Sequence, residues 1–187
     1  MKGVLRVDFR SYYHLESYLF DTARPHYLKN GYLNAFDFFC IVIWKAQRAK
    51  SRIAHKLQKV EVDLDKAVYV LTWGLAQQSN PKDRLRVLWQ ADFNLPIASA
   101  ILTVLYPEDF TVYDERVCSI LGDFHKIKSL RDFDALWDGY QDYKRKVKES
   151  TPKELSLRDK DRYLWGKSFY EQLVKDINKG FKKLQKP

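Results

Sequence analysis

One carboxylate in this sequence stands where it could do chemistry. Asp114 follows the apolar stretch Phe110-Thr111-Val112-Tyr113, which reads as extended, and it opens the helical pattern Glu115–Phe124. A carboxylate there either caps the helix or, in a partly desolvated cleft, orients water and offsets positive charge developing beside it. Upstream, Asn94-Leu95-Pro96 can turn the chain, and Pro96 suits the first turn of a helix, where its missing N–H costs nothing. Ala98, Ser99 and Ala100 give that helix a small-residue face that another backbone can approach. Exposed amides at such a helix start can hold one phosphate without reading a base.

The third group is basic. Residues 44–59 hold six Lys/Arg and no acid. Spaced at about 100° per residue, Lys45, Arg48, Arg52, Lys56 and Lys59 fall within about 80° of arc on a helix over 34–59. The same spacing gathers Phe36, Phe39, Ile43, Ala46, Ile53 and Leu57 on the opposite, apolar side. Like charges at these spacings repel by a few tenths of a kcal/mol per pair. An unmixed stripe therefore reads as a track for a polyanion or as a solvated basic face.

Set together, LPIASAIL followed by FTVYDERV resembles the hairpin and the Val-Asp-x-x-Val segment of the helix-hairpin-helix DNA glycosylase superfamily. Within it the chain looks most like the oxoguanine-glycosylase-like proteins. The resemblance implies an all-α fold of two helical lobes around a cleft, with lobe one at 1–33 with 125–187 and lobe two at 34–124 of a single 1–187 domain. It implies Asp114 as the catalytic carboxylate and Asn94, Leu95, Pro96, Ile97 and Ala98 as the phosphate-gripping hairpin. Lys45, Arg48 and Arg52 would neutralise further phosphates from helix 34–59, where the superfamily has the helix leading into its base pocket. The position of the Schiff-base lysine of bifunctional members falls at or beside Pro96, and residues 93–100 contain no lysine. The expected activity is thus monofunctional hydrolysis of an N-glycosidic bond in duplex DNA. The family hairpin is Gly-rich, of the form Leu-Pro-Gly-x-Gly, whereas no Gly occurs here between Gly74 and Gly122. That departure fits a divergent or a non-catalytic member.

The elements that must position these residues are helical nearly everywhere, for only seven Gly and six Pro punctuate 187 residues. The pattern predicts helices near 11–22, 34–59, 63–78, 81–90, 95–105, 114–124, 131–149 and 157–184. Breaks are expected at Arg24-Pro25, Asn80-Pro81, Tyr106-Pro107 and Thr151-Pro152, because proline disfavours helical geometry in the residue before it. Besides Phe110–Tyr113, only Val4–Phe9 looks extended. The last helix carries an apolar stripe at Leu157, Tyr163 or Leu164, and Phe169.

The 28 aromatic residues, 11 Phe, 12 Tyr and 5 Trp, are enough to build a core. No apolar run reaches the ~20 residues that cross a bilayer, and MKGVLRVDFR lacks a signal-peptide core, so a cytoplasmic monomer with no membrane partner is expected. The net charge of +9 is concentrated in residues 44–59 and in residues 144–187, which hold 14 Lys/Arg against six acids. Such patches favour polyanions. Cys40 and Cys118 lie in apolar helical patterns and cannot make a four-cysteine metal or cluster site. His14, His26, His55 and His125 show no metal-ligand spacing, and there is no Gly-rich phosphate loop or GxSxG. No cofactor and no metal is expected. Two alternatives to a glycosylase stay open: a non-catalytic nucleic-acid-binding helix-hairpin-helix module, and a helical protein-interaction domain with a basic surface.

Overall fold

The structure is a computed structural model that describes residues 14–179. It is all-α, with no strand among the described residues. The stretch Val4–Phe9 and the ends of the expected helices 11–22 and 157–184 lie outside the described residues.

Seven helices start where a polar side chain accepts a hydrogen bond from a first-turn amide. Asn34 opens α3 (Ala35–Ala46), Asp63 opens α5 (Leu64–Ala76), and Asn80 opens α6 (Pro81–Gln90). Asn94 opens α7 (Leu95–Leu105), and Asp114 opens α8 (Glu115–Leu121). Asp132 and Ser156 do the same for α9 (Phe133–Glu149) and α10 (Leu157–Asn178). Each such cap contributes about 1 kcal/mol, and together they explain why these boundaries are legible in the sequence. No helix among the described residues is long and apolar enough to cross a membrane.

Two boundaries differ most from expectation, beside the end of α8, which stops at Leu121 rather than near 124. Arg24-Pro25 does not break the chain: α1 (Leu15–Tyr18) runs through a π-helical turn (Leu19–Ala23) into α2 (Arg24–Asn30). Pro25 has no N–H to give to Asp21, and its ring would crowd that carbonyl in an α-helix. Widening to the π form, with Arg24 N–H bonded to Leu19 O, removes that demand.

The second difference lies in the basic segment. The expected helix 34–59 is two helices, α3 and α4 (Lys50–Gln58), separated by a 3-10 turn at Gln47–Ala49. Ala46 departs from helical geometry at φ −158, ψ 88. The buried face of α3 is Phe38, Ile41 and Val42, while Phe36, expected on the apolar side, is 56% exposed. At ~100° per residue, Lys45 falls about 20° from Phe38 and about 40° from Ile41 and from Ala49. A continuous helix would therefore carry an ammonium along the middle of its buried stripe, which is costly. Ending α3 at Ala46 leaves Lys45 in its last turn, partly exposed, where a cation complements the helix terminus. The five cations consequently do not form one stripe. Lys45 belongs to α3, Arg48 to the 3-10 turn, and Arg52 and Lys56 to α4, with Lys59 just past its end.

The chain divides into two compact units between Tyr106 and Pro107; the expected lobes, 1–33 with 125–187 and 34–124, carry different boundaries. The first unit is built around α7, in which Leu95, Ile97 and every residue from Ala98 to Leu105 are buried. The small residues Ala98, Ser99 and Ala100 let this helix lie among α2, α3 and α6. In the second unit α10 packs on α8 and α9. Its buried stripe includes Leu157 and Leu164, but Phe169 is 49% exposed and stacks on Trp165 instead.

Candidate functional site

The segment that presents Asp114 is held by two tyrosines one turn apart on α9. The buried Tyr140 hydroxyl donates to Thr111 O at 2.6 Å and accepts from Thr111 N–H at 3.0 Å. The Tyr143 hydroxyl donates to Val112 O at 2.9 Å. Tyr113 in turn donates to Phe124 O at 2.6 Å. Phe110, Thr111, Val112 and Tyr113 are all buried, so a non-helical backbone runs through the unit's interior. Its polar groups need side-chain partners there, and the tyrosines supply them. Burial is the first cause of the raised ionisation of both the Tyr140 and Tyr143 hydroxyls, so they remain neutral donors.

Asp114 itself is partly buried, and its Oδ1 accepts from Arg116 N–H at 2.8 Å. Arg116 reaches away to Gln172 Oε1 at 2.9 Å. The next residue, Glu115, is paired with Lys128 and with His125 Nδ1 at 2.7 Å. Those contacts, Lys128 first and His125 second, hold the Glu115 carboxyl below its usual range. An open groove of about 650 Å³ runs beside this cluster, lined in part by Arg116, Gln172 and Lys175. Ser119 Oγ lies 3.5 Å from His125 Nε2 but donates to Glu115 O at 3.0 Å. The first distance is at the outer limit of a hydrogen bond, so the serine is engaged with its own helix rather than poised as a nucleophile.

The hairpin lies between α6 and α7, in the first unit. Asp92 N–H bonds Trp89 O at 2.9 Å and Phe93 N–H bonds Leu88 O at 3.0 Å. This pairing is a Schellman helix end, and Phe93 and Leu88 are both buried. Asp92 takes the left-handed position at φ 62, the only non-glycine residue with positive φ among the described residues. A glycine there would avoid a cost of roughly 1 kcal/mol.

Among the five hairpin residues of the sequence reading, Asn94 is exposed and Pro96 partly exposed, whereas Leu95, Ile97 and Ala98 are buried in the unit's core. The amides of Ile97 and Ala98 are bonded to Asn94, at 3.1 and 2.9 Å to its carbonyl, with a further 3.3 Å contact from Ile97 to its side chain. Phosphate binding through those two amides would have to displace the cap.

Cations reach the same turn from α4. Lys56 Nζ donates to Asp92 O at 2.5 Å and pairs with the Asp92 carboxylate at 2.6 Å. The Asp92 carboxyl is held below its usual range, chiefly by Lys56 and further by Lys59 and Arg52. Of the expected contacts Lys45, Arg48 and Arg52, Arg52 acts on the Asp92 carboxyl through charge alone; Arg48 is exposed on the 3-10 turn and Lys45 lies in the last turn of α3. Sequence reasoning placed Lys56 and Lys59 on the basic stripe but not at the hairpin, and it missed Asp92, Tyr140 and Tyr143. A signal for Asp92 was present: WQADFN has no glycine where α6 must end before Asn94 caps α7.

Among the described residues no group of His, Cys, Asp and Glu is arranged to hold a metal ion. Cys40 and Cys118 are buried free thiols whose ionisation burial pushes up to about 11, far from a nucleophile's range. Comparison with known proteins finds no family model, no curated protein and no solved structure that matches the chain.

Proposed function

We propose that the chain is a duplex-DNA-binding protein of the helix-hairpin-helix glycosylase type. The observation that carries the reading is Lys56, which α4 brings onto the carbonyl and carboxylate of Asp92 at the α6–α7 turn, from a segment, residues 44–59, that holds six Lys/Arg and no acid. Cations brought to a turn that opens a helix are an electrostatic footprint for a phosphodiester backbone. The buried Leu95, Ile97 and Ala98 shift the phosphate contact from hairpin amides to these side chains, and the hairpin's lack of glycine agrees with that shift.

The proposed chemistry is monofunctional. A nucleotide turned out of the duplex would present its C1′ to the Asp114 carboxylate. As the N-glycosidic bond breaks, its electron pair leaves with the base, and the carboxylate offsets the oxocarbenium charge while orienting the attacking water. The tyrosine clamp from α9 fixes the backbone on which Asp114 sits, so the carboxylate need not be organised at the moment of reaction. A second reading is favoured by the bond from Arg116 N–H to Asp114 Oδ1: a cap alone needs no more than this, as in a non-catalytic DNA-binding module.

Excision assays on duplexes carrying oxoguanine, uracil, hypoxanthine or alkylated bases, read by alkali cleavage, test the first reading. Asp114→Asn should abolish excision and leave DNA affinity within about threefold, because Asn caps a helix nearly as well as Asp. Full activity in that variant would refute the catalytic assignment. Salt-dependent duplex binding without excision of any base would establish the binding module.

A further inference from the structure

We infer that the α6–α7 turn is a phosphodiester site whose cation, Lys56, is held in the free protein by the protein's own carboxylate, Asp92, which DNA displaces. The inference rests on the DNA-binding reading and adds to it the occupant of the site and the exchange that opens it.

Three independent features of Asp92 support this. Its backbone sits at φ 62, where glycine fits without strain, so the side chain stands there against local backbone preference. Its side chain is 84% exposed, so the core of the unit does not require it. The cations that act on it, Lys56, Lys59 and Arg52, all come from α4 or its end. Asp92 thus supplies negative charge to a segment that contains none of its own, since residues 44–59 carry no acid.

Lys56 makes the exchange feasible. Its ammonium has three donors, and one is committed to the Asp92 backbone carbonyl at 2.5 Å. That bond does not depend on the carboxylate. Losing the carboxylate would leave Lys56 anchored at the turn, with a donor directed to solvent. The pair is open to water on its carboxylate side, Asp92 being 84% exposed against 23% for Lys56, and such hydration weakens it, so a polyanion can replace the carboxylate. The free protein would then carry fewer counterions at this turn, and Asp92 would set both the affinity for duplex DNA and its salt dependence.

Asp92→Asn and Asp92→Gly test the site, because Asn and Gly both populate the left-handed region and thermal melting verifies each fold. Binding of a fluorescently labelled random duplex is followed by anisotropy across a potassium chloride series. Both variants should bind at least about threefold tighter than the wild type at low salt, with a slope of log K against log salt steeper by up to roughly 0.9, the value of one added phosphate contact. Adding Lys56→Gln to Asp92→Asn should cancel the gain. Arg52→Glu with Lys59→Glu serves as the control for the reading beneath. If that pair weakens binding while both Asp92 variants match the wild type, the exchange is refuted and the DNA reading stands. If wild type and all variants show no salt-dependent binding, both fall together.

Discussion

Replacing Tyr140 with Phe should be among the most damaging single-oxygen deletions in this protein. The hydroxyl is buried and serves both backbone groups of Thr111, donating to its carbonyl at 2.6 Å and accepting from its amide at 3.0 Å. Phe keeps the ring and its stack on Phe110, so packing is nearly unchanged. It leaves two buried polar groups without this partner, each at about 1–3 kcal/mol. Removing the desolvated hydroxyl returns part of that, and a net loss of about 2–4 kcal/mol is expected. Against a total stability of about 5–15 kcal/mol, this is a large fraction. With a urea m-value of about 2 kcal/mol/M, the midpoint should fall by roughly 1–2 M. Tyr143→Phe removes the bond to Val112 O alone, and its effect should be smaller. Because both tyrosines hold one short segment, the double variant should lose measurably less or more than the sum of the singles. Urea titration gives the global number, and amide exchange at Thr111 gives the local one. A Tyr140→Phe loss below about 1 kcal/mol, with Thr111 still protected, would refute the claim that this hydroxyl satisfies the segment.

Two further outcomes follow from the second unit. Thr111 Oγ1 is buried with no hydrogen-bond partner among the described residues; Thr111→Val should be neutral or stabilising by up to about 1 kcal/mol, and a loss of that size in thermal melts would reveal a partner. Glu115, paired with Lys128 and His125, titrates below its usual value of 4.5. A depressed carboxyl contributes stability that is complete above 4.5 and is lost as the pH falls through the lowered folded value. The melting gap between wild type and Glu115→Gln should therefore be present at neutral pH and close in acid, and a gap that persists into acid would contradict the pairing. The gap should be small and should shrink with salt, because the carboxylate is half exposed.

The sequence by itself determined what depends on nearest neighbours. Asn80-Pro81, Asn94-Leu95-Pro96 and Asp114 each combine a polar residue with the start of a helical pattern, and the structure opens a helix at every one. A cap acts on amides two or three residues away, so its signal survives without knowledge of the fold. The basic composition of 44–59 and the non-helical stretch before Asp114 were equally local.

Tertiary structure decided the rest. Which face of 34–59 is buried, and hence where that segment breaks, depends on what α7 presents to Phe38, Ile41 and Val42; counting at a fixed angle chose Phe36 and Phe39 instead. Pro25 passes through a helix because a π turn relieves it, a choice open only when the flanking segments pack as one run. The tyrosines that hold Thr111 and Val112 are about 30 residues distant in sequence, and Lys56 meets Asp92 across 36. Neither pairing leaves a periodic trace, because a side chain that satisfies a distant backbone group is selected by the geometry of closure and not by the pattern of its own helix.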